Sequence, residues 1–388
     1  MRTVALDLGV RKITYCEVHD GLVVARATAR SLRDLEPYLG ADAPRAAVAF
    51  EACREAWWIH DELAARGHLP LMLDTTRVRQ IGVGQHGRKT DRLDAEALAR
   101  ALARGGVPRA HVLSPARRQM RAELSTRSAL VETRSQYVTT VRGLVRAAGV
   151  LLPTCAPESF VRHARAANLT PETRALLEPL LAVLDAIAVQ FAVAETRLES
   201  LARTEPVVAL LATVPGVGLI VASTFVATLD EAGRFRDAHS VQAYLGLVPN
   251  ENSSGGQRRL GAITKQGNPW ARVALVQAAH SILRAAPSDD PLRMWALDVA
   301  TRRGKPIAVV ALARRLAGVL WAMWRDDRPY MPQRLAARSA AGLDEAGEQI
   351  AARAARLAAV ASAEHKIYPR TRPSRKPAAA PAREVPRR

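Results

Sequence analysis

Cysteine is nearly absent from this chain. Cys16, Cys53 and Cys155 are the only three and lie far apart, matching neither a disulfide framework nor a zinc spacing. No uninterrupted apolar run reaches membrane-spanning length, and the N-terminus does not read as a signal peptide. These absences predict a reduced, soluble, cytoplasmic protein with no membrane partner. Lysine is scarce as well, contributing six of the 56 basic residues, and acids number only 37. The formal net charge is therefore +19, which points to a polyanion and first of all to nucleic acid. A bias to arginine can follow from genome composition alone, yet arginine brings the bidentate geometry that phosphate favours. With 388 residues, 48% of them apolar, the chain has material for two or three packed domains, and global disorder is excluded.

Val4–Leu8, Ile13–Val18 and Leu22–Thr28 read as three short strands, separated by Gly9 and by the His19-Asp20-Gly21 turn. Ala46–Phe50 is a continuous apolar run suited to the centre of a sheet. A helix over Trp57–Ala65 and a strand over Leu69–Leu73 follow. A loop spaced by glycines, Gly82–Gly87, leads into a helix over Asp91–Arg104 with Thr90 as its N-cap. This element order is that of an α/β ribonuclease H-like domain, placed at residues 1–113.

Residues 114–204 change character. Leu124, Val131, Val138 and Val145 recur every seven residues, and Leu177, Leu180, Leu184, Ile187, Phe191, Ala194, Leu198 and Leu201 alternate steps of three and four. That is a coiled-coil seam, closed either within one chain or between two. Pro179 either kinks the second helix or marks its start. Residues 205–335 read as a mostly helical domain, and 336–388 as an Ala-rich helix followed by a basic tail too polar to fold alone.

Four acids fall where phosphodiester chemistry would use them. Asp7 lies in the first strand, Glu51 ends the fourth, and Asp91 and Asp94 stand three apart on one helix face. Strands one and four are neighbours in a ribonuclease H-like sheet, and the last helix crosses them, so all four would converge. Their repulsion calls for cations: two Mg2+ ions, with Mn2+ an alternative, to activate the attacking oxygen and stabilise the leaving one. Singly, each acid is equally explained as a helix-dipole or strand-end residue. Glu17, Glu55 and Glu96 have no such case. Lys12 and Lys89 are candidates for phosphate or carboxylate partners. The opening LDLGVRK also resembles the first phosphate hairpin of actin-like ATPases, but no second hairpin or adenosine pocket accompanies it.

Two features mark the helical domain. Pro215-Gly216-Val217-Gly218 joins two helical segments, so Gly216 and Gly218 either offer backbone N–H groups to a phosphate or simply connect. Asn250–Gly261, NENSSGGQRRLG, sets Ser253 and Ser254 beside a glycine pair, with Arg258, Arg259, Lys265 and Arg272 around it. No histidine stands at a spacing that would make a hydrolase triad. An arginine-neutralised phosphoryl target suits the serines better, while a flexible turn stays open.

ALDLGVRK, VAFEA, KTDRLDAEALA and VPGVG…YLGLVPNENSSGGQRRLGAITKQGN together resemble the DEDD transposases of the insertion sequence 110 family, related to Piv-type DNA invertases. The match spans about residues 3–330 in order and spacing, and its C-terminal block is highly specific. The resemblance implies a RuvC-like catalytic domain, a coiled-coil linker and a C-terminal transposase domain. It implies magnesium at Asp7, Glu51, Asp91 and Asp94, and a covalent phosphoserine formed by Ser254, with Ser253 as second choice. It also implies a structured noncoding guide RNA pairing with target and donor DNA, a dimer or tetramer sharing active sites, and a bacterial, nucleoid-associated location. ACREAW after Glu51 departs from the small-residue pattern of relatives, and the Pro/Arg tail has no counterpart. The competing chemistry is a metal-dependent junction nuclease that uses water, leaving the serines structural.

Overall fold

The computed structural model describes residues 1–80, 90–251 and 259–333. Two compact units divide between Arg118 and Gln119. The first holds a five-stranded sheet in the order β3-β2-β1-β4-β5, from β1 (Arg2–Leu8), β2 (Ile13–His19), β3 (Leu22–Ala29), β4 (Ala46–Glu51) and β5 (Leu69–Leu73). β1, β2 and β3 form an antiparallel meander, whereas β4 and β5 run parallel to β1. Short α1 (Glu36–Leu39) precedes β4, α2 (Ala56–Ala65) links β4 to β5, and α3 (Thr75–Gln80) and α4 (Asp91–Arg104) follow. Strand side chains alternate between two faces. Val4, Leu6, Tyr15, Val48 and Phe50 pack against Ile59 and Leu63 of α2 on one face. Ala5, Cys16, Ala47 and Ala49 pack against Ala95, Leu98 and Ala99 of α4 on the other. The central strands are buried on both sides, which is why they read as unbroken apolar runs.

Arg2 ties the start of the central strand β1 to β2. Its guanidinium donates two hydrogen bonds of 2.8 Å to Glu17 and one of 2.9 Å to the Tyr15 hydroxyl, and it reaches the carbonyls of Tyr38 and Pro44. Glu17 thereby sits below its ordinary carboxylate range, because Arg2 hydrogen-bonds the charged form more strongly than burial disfavours it.

The second unit contains most of a helical hairpin. α5 (Pro115–Ala147) and α7 (Pro171–Arg203), with α6 (Phe160–Ala166) between them, bury Val141, Val145, Phe160, Leu177, Leu181 and Leu184. Arg127 pairs with Glu195 and Arg197 with Glu123, so the long helices run antiparallel. Phe191 receives the guanidinium groups of both Arg127 and Arg134, at 4.9 and 4.7 Å from its ring centre. Pro171 begins α7 and Thr170 caps it, so Pro179 lies inside the helix rather than at its start. The buried stripe takes Leu181 and Ala202 where the heptad reading chose Leu180 and Leu201. Adjacent apolar pairs leave that choice to a helix whose true repeat is 3.6 residues, not 3.5.

Further helices and a strand pair follow among the described residues of the unit. These are α8 (Pro206–Leu211), α9 (Leu219–Leu229), α10 (Ala238–Tyr244), β6 (Pro249–Glu251), β7 (Leu260–Ile263), α11 (Pro269–Ala285), α12 (Pro291–Arg303) and α13 (Lys305–Asp326). α13 is the centre of this core, burying Leu312, Ala313, Leu316, Ala317 and Leu320. By length and composition both α7 and α13 are apolar enough to cross a membrane, which the search for an uninterrupted apolar run overlooks. More than half of the apolar window of α13 is buried in protein, whereas α7 buries one stripe and leaves Leu176, Val183, Val189 and Val193 exposed.

Candidate active site and nucleic-acid interface

In the first unit, the parallel register of β1 and β4 ends with Leu6 opposite Phe50. Asp7 and Glu51 come next on each strand, side by side at a strand spacing of about 4.8 Å. Alternation puts both on the face of Ala5 and Ala49, the face covered by α4. Thr90 caps α4 by accepting from the Leu93 N–H at 3.3 Å, so Asp91 and Asp94 occupy its first turn, where the helix dipole favours anions. All four acids are half-buried. Among the described residues, however, no three acidic, histidine or cysteine side chains stand close enough to hold a metal.

A cation does stand among them. Lys12 Nζ lies 2.8 Å from Asp91 Oδ2. The hydrogen bond and charge of Asp91 hold the Lys12 ammonium above its ordinary value, with Asp7 adding to the effect. Lys12 is thus a carboxylate partner, one of the two roles open to it; Lys89 lies outside the described residues. Asp91 and Asp7, the acids that act on Lys12, offer the carboxylate oxygens a hard divalent cation takes, but the four acids do not converge as the sequence suggests.

An open groove of about 630 Å³ adjoins the pair, lined by Lys12, Thr14, Arg26, Thr28, Thr90 and Arg92. Thr14 is the register partner of Asp7 and Thr28 of Thr14, so the row Glu51, Asp7, Thr14, Thr28 crosses four strands. Arg26 is tethered by Glu96, which also binds Arg100 at 2.9 Å. Of these, Lys12 and Thr90 stand out in the sequence, whereas Thr14, Arg26, Thr28 and Arg92 do not. Counting every second residue of β2 and β3 from Asp7's partner would have found Thr14 and Thr28.

In the second unit, β6 and β7 form an antiparallel pair joined by residues 252–259, of which 252–258 are not described. Ser253, Ser254 and Arg258 therefore lie outside the described residues. The root of the pair is built from backbone contact. Gly246 (φ +69°) and Gly267 (φ +92°) adopt left-handed conformations, and a Cβ on either would fall about 2 Å from Gln266 or Tyr244 backbone. Lys265 is left-handed too, at φ +55°, and donates its N–H to the Gly246 carbonyl. Arg272 sends Nη1 to the carbonyls of Leu245, Gln266 and Gly267 at 3.1–3.2 Å. Arg272 therefore has a structural duty in fixing this root, while Arg259 and Lys265 are exposed.

The PGVG turn joins α8 to α9. Gly216 (φ +82°) is pressed on α11, since a Cβ would meet Ile282 at 3.0 Å. Gly218 is different: its backbone is extended, nothing lies within 4 Å of a built Cβ, and no side chain caps α9. Packing explains Gly216 but not Gly218.

Comparison with known proteins bears on the whole chain. Residues 208–292 match the family model described as transposase IS116/IS110/IS902 family, covering the PGVG turn and the β6–β7 pair. A probable family 20 transposase of Pseudomonas aeruginosa is 30% identical over 339 residues, 85% of this chain and 98% of the relative. The chain belongs to the IS116/IS110/IS902 transposase family. Among this transposase's other relatives, that of insertion sequence element IS1328 of Yersinia enterocolitica is 26% identical, over 82% of this chain and 95% of its own. That of IS1111A of Coxiella burnetii is 28% identical, over 62% of this chain and 68% of its own. The transposase is accordingly a DNA strand-transfer enzyme, with DNA as its partner.

Proposed function

We propose that this transposase mobilises an insertion sequence by serine-mediated strand transfer, a ribonuclease H-like (RuvC-like) first domain supplying the metal-binding acids and the second unit the serine. The observation that carries the reading is the adjacency of Asp7 and Glu51 on the sheet face that also carries the Asp91–Asp94 turn of α4. Those four acids would hold Mg2+, which supplies charge neutralisation at a phosphate when bound. Lys12, paired with Asp91 at 2.8 Å, would be the nearby cation available to the phosphate. Ser254 Oγ, or Ser253 Oγ in its stead, forms a bond to phosphorus. The bond from phosphorus to the leaving deoxyribose oxygen breaks, and the serine proton ends on that oxygen. Arg258, Arg259 and Lys265 would neutralise the phosphate while Arg272 holds the root. Gly218, with Gly216 shaping its turn, opens the α9 N-terminus to a backbone phosphate.

A guide RNA would occupy part of the basic surface that a net charge of +19 provides. The exposed apolar residues of α7 would pair subunits into a dimer or tetramer, with the protein cytoplasmic and nucleoid-associated. The test is trapping of covalent protein–DNA adducts on element-end DNA. Ser254→Ala should abolish adducts and leave DNA binding intact. Adducts persisting in Ser254→Ala and in the Ser253→Ala, Ser254→Ala double variant would refute the nucleophile, and free ends without adducts in the parent protein would favour water. Asp91→Asn should stop strand transfer without loss of binding, and sequencing of RNA bound to the purified protein tests the guide.

A further inference from the structure

Aromatic residues make up 4% of this chain, and few of the rings face solvent. Among the described residues Trp58, Tyr244 and Trp270 are the aromatic side chains that stay largely exposed, the last two at 40% and 44%. Both belong to the second unit, and both flank the root of the β6–β7 pair. Tyr244 ends α10 and its carbonyl abuts Gly267; Trp270 lies in the first turn of α11, after the capping residue Asn268 and Pro269. Arg272, two residues beyond Trp270, bonds the carbonyl of Leu245, next to Tyr244. The two segments are therefore knitted together, and each presents a ring.

The Tyr244 ring is also braced. Phe235 meets it edge-on with ring centres 5.2 Å apart, and Arg234 lies 5.2 Å from the Phe235 centre and 5.4 Å from that of Tyr244. Leaving rings this size in water forgoes a large burial gain, and a braced ring loses little freedom on binding. Arg234 stands beside the Tyr244 ring, and the exposed Lys265 belongs to the same root through its N–H bond to the Gly246 carbonyl. Rings set among arginines and lysine suit a nucleobase with its phosphate better than an apolar protein patch.

We infer that Tyr244 and Trp270 form a stacking platform for unpaired bases of the DNA strand next to the reacting phosphate. The platform rests on the reading of residues 252–258 as the strand-transfer loop. It holds the strand by its bases while the loop addresses the backbone, and stacking makes it tolerant of sequence.

Full-length protein is titrated with a labelled oligothymidine strand and with an abasic strand of equal length, which keeps the phosphates and lacks the bases. The unaltered protein should prefer the oligothymidine at least about tenfold. Tyr244→Ala and Trp270→Ala should each cut that preference by about tenfold or more, equivalent to ~1.4 kcal/mol, and leave abasic binding unchanged. Tyr244→Phe and Trp270→Phe should keep it. Equal binding of both strands by the unaltered protein, or a preference that survives both alanine changes, overturns the platform. If Tyr244→Ala lowers the unfolding midpoint, Trp270→Ala, on an exposed first turn, decides alone. Adducts on Ser254 combined with no base preference would sink the platform only. A base preference lost in the alanine variants, without any serine adduct, would sink the strand-transfer reading only.

Discussion

Two glycines two residues apart in the PGVG turn should respond oppositely to the same methyl group. At Gly216 the backbone is left-handed, φ +82°, and an alanine there costs about 1–2 kcal/mol in backbone strain alone. The new Cβ would also stand 3.0 Å from Ile282 Cγ1 and the Ile282 nitrogen and 3.2 Å from the Ala278 carbonyl. Two of these three atoms are helix backbone that cannot rotate away, so overpacking adds about 1–3 kcal/mol. Gly216→Ala should therefore destabilise the second unit by about 2–5 kcal/mol, a large part of a typical domain's stability. At Gly218 the extended backbone suits any residue and the space is open. The loss of chain freedom in the unfolded state favours alanine by about 0.4–1 kcal/mol, and its poorer helix capping takes back a few tenths. Urea unfolding of both variants, followed by circular dichroism, should separate their midpoints clearly at unchanged slope. Equal midpoints would refute the packing argument. The functional half uses Gly218→Glu, whose carboxylate is favourable to the α9 dipole but hostile to phosphate. DNA affinity should fall and the salt dependence lose about one phosphate contact. Unchanged affinity would leave PGVG as a connector.

Other perturbations test the supports of each site. Arg272→Ala removes the donor shared by three carbonyls, so amide hydrogen exchange at residues 244–248 and 264–268 should accelerate at least about tenfold, a local loss of ~1.4 kcal/mol; unchanged protection would contradict the role of Arg272 at the root. Tyr330→Phe deletes a 2.8 Å hydrogen bond to Asp290, a buried residue that caps α12, and should cost about 1–2 kcal/mol in urea unfolding. Glu17→Gln should lower stability at neutral pH by about 1–2 kcal/mol. Because Arg2 depresses the folded-state value of Glu17, its contribution is present above the unfolded value of about 4.5 and fades as pH falls through the lower folded value. The gap between parent and variant should therefore close on acidification, and a gap that widened would reverse the assigned sign.

The sheet, α2 and α4 of the first unit were legible in the sequence, while short α1 and α3 were not, and the reason lies in its periodicities. β5 and α4 have the bounds the sequence suggests, the Thr90 cap is in place, and β1 to β4 differ by one or two residues at their ends. Strands buried on both faces and bounded by Gly9 and Gly21 leave little competition between local signals. Asp7 and Glu51 could be paired because register follows from strand order. The Lys12–Asp91 pair could not be read with certainty, since a four-carbon side chain reaches several partners and sequence fixes none of them. In α7 the choice between Leu180 and Leu181 depended on helix drift, a property of packing against α5 rather than of the chain itself. Arg272 carries a second duty that the sequence could not show, for a related reason. Positive charge near two serines suggests a phosphate ligand, yet its Nη1 is occupied by three carbonyls that become neighbours only once Gly246 and Gly267 cross.

That crossing fixes the root of the β6–β7 pair. A strand pair of three and four residues is too short to be stable alone. Its order must come from its root, where two left-handed glycines, a left-handed lysine and one guanidinium remove the freedom to slide. The same root presents the two exposed rings. Loosening it should therefore harm catalysis through positioning, with DNA affinity falling less than strand transfer. Gly267→Ala is the sharpest such change, because its Cβ would lie 2.0 Å from the Tyr244 carbonyl oxygen, a contact only backbone movement can relieve. We expect strand transfer to fall at least about a hundredfold, in line with the cost of displacing a reacting group by an ångström, while phosphate-driven binding of an abasic strand is retained. Loss of both in equal measure, in protein that still unfolds cooperatively, would mean that the root binds DNA directly and does not merely aim the loop.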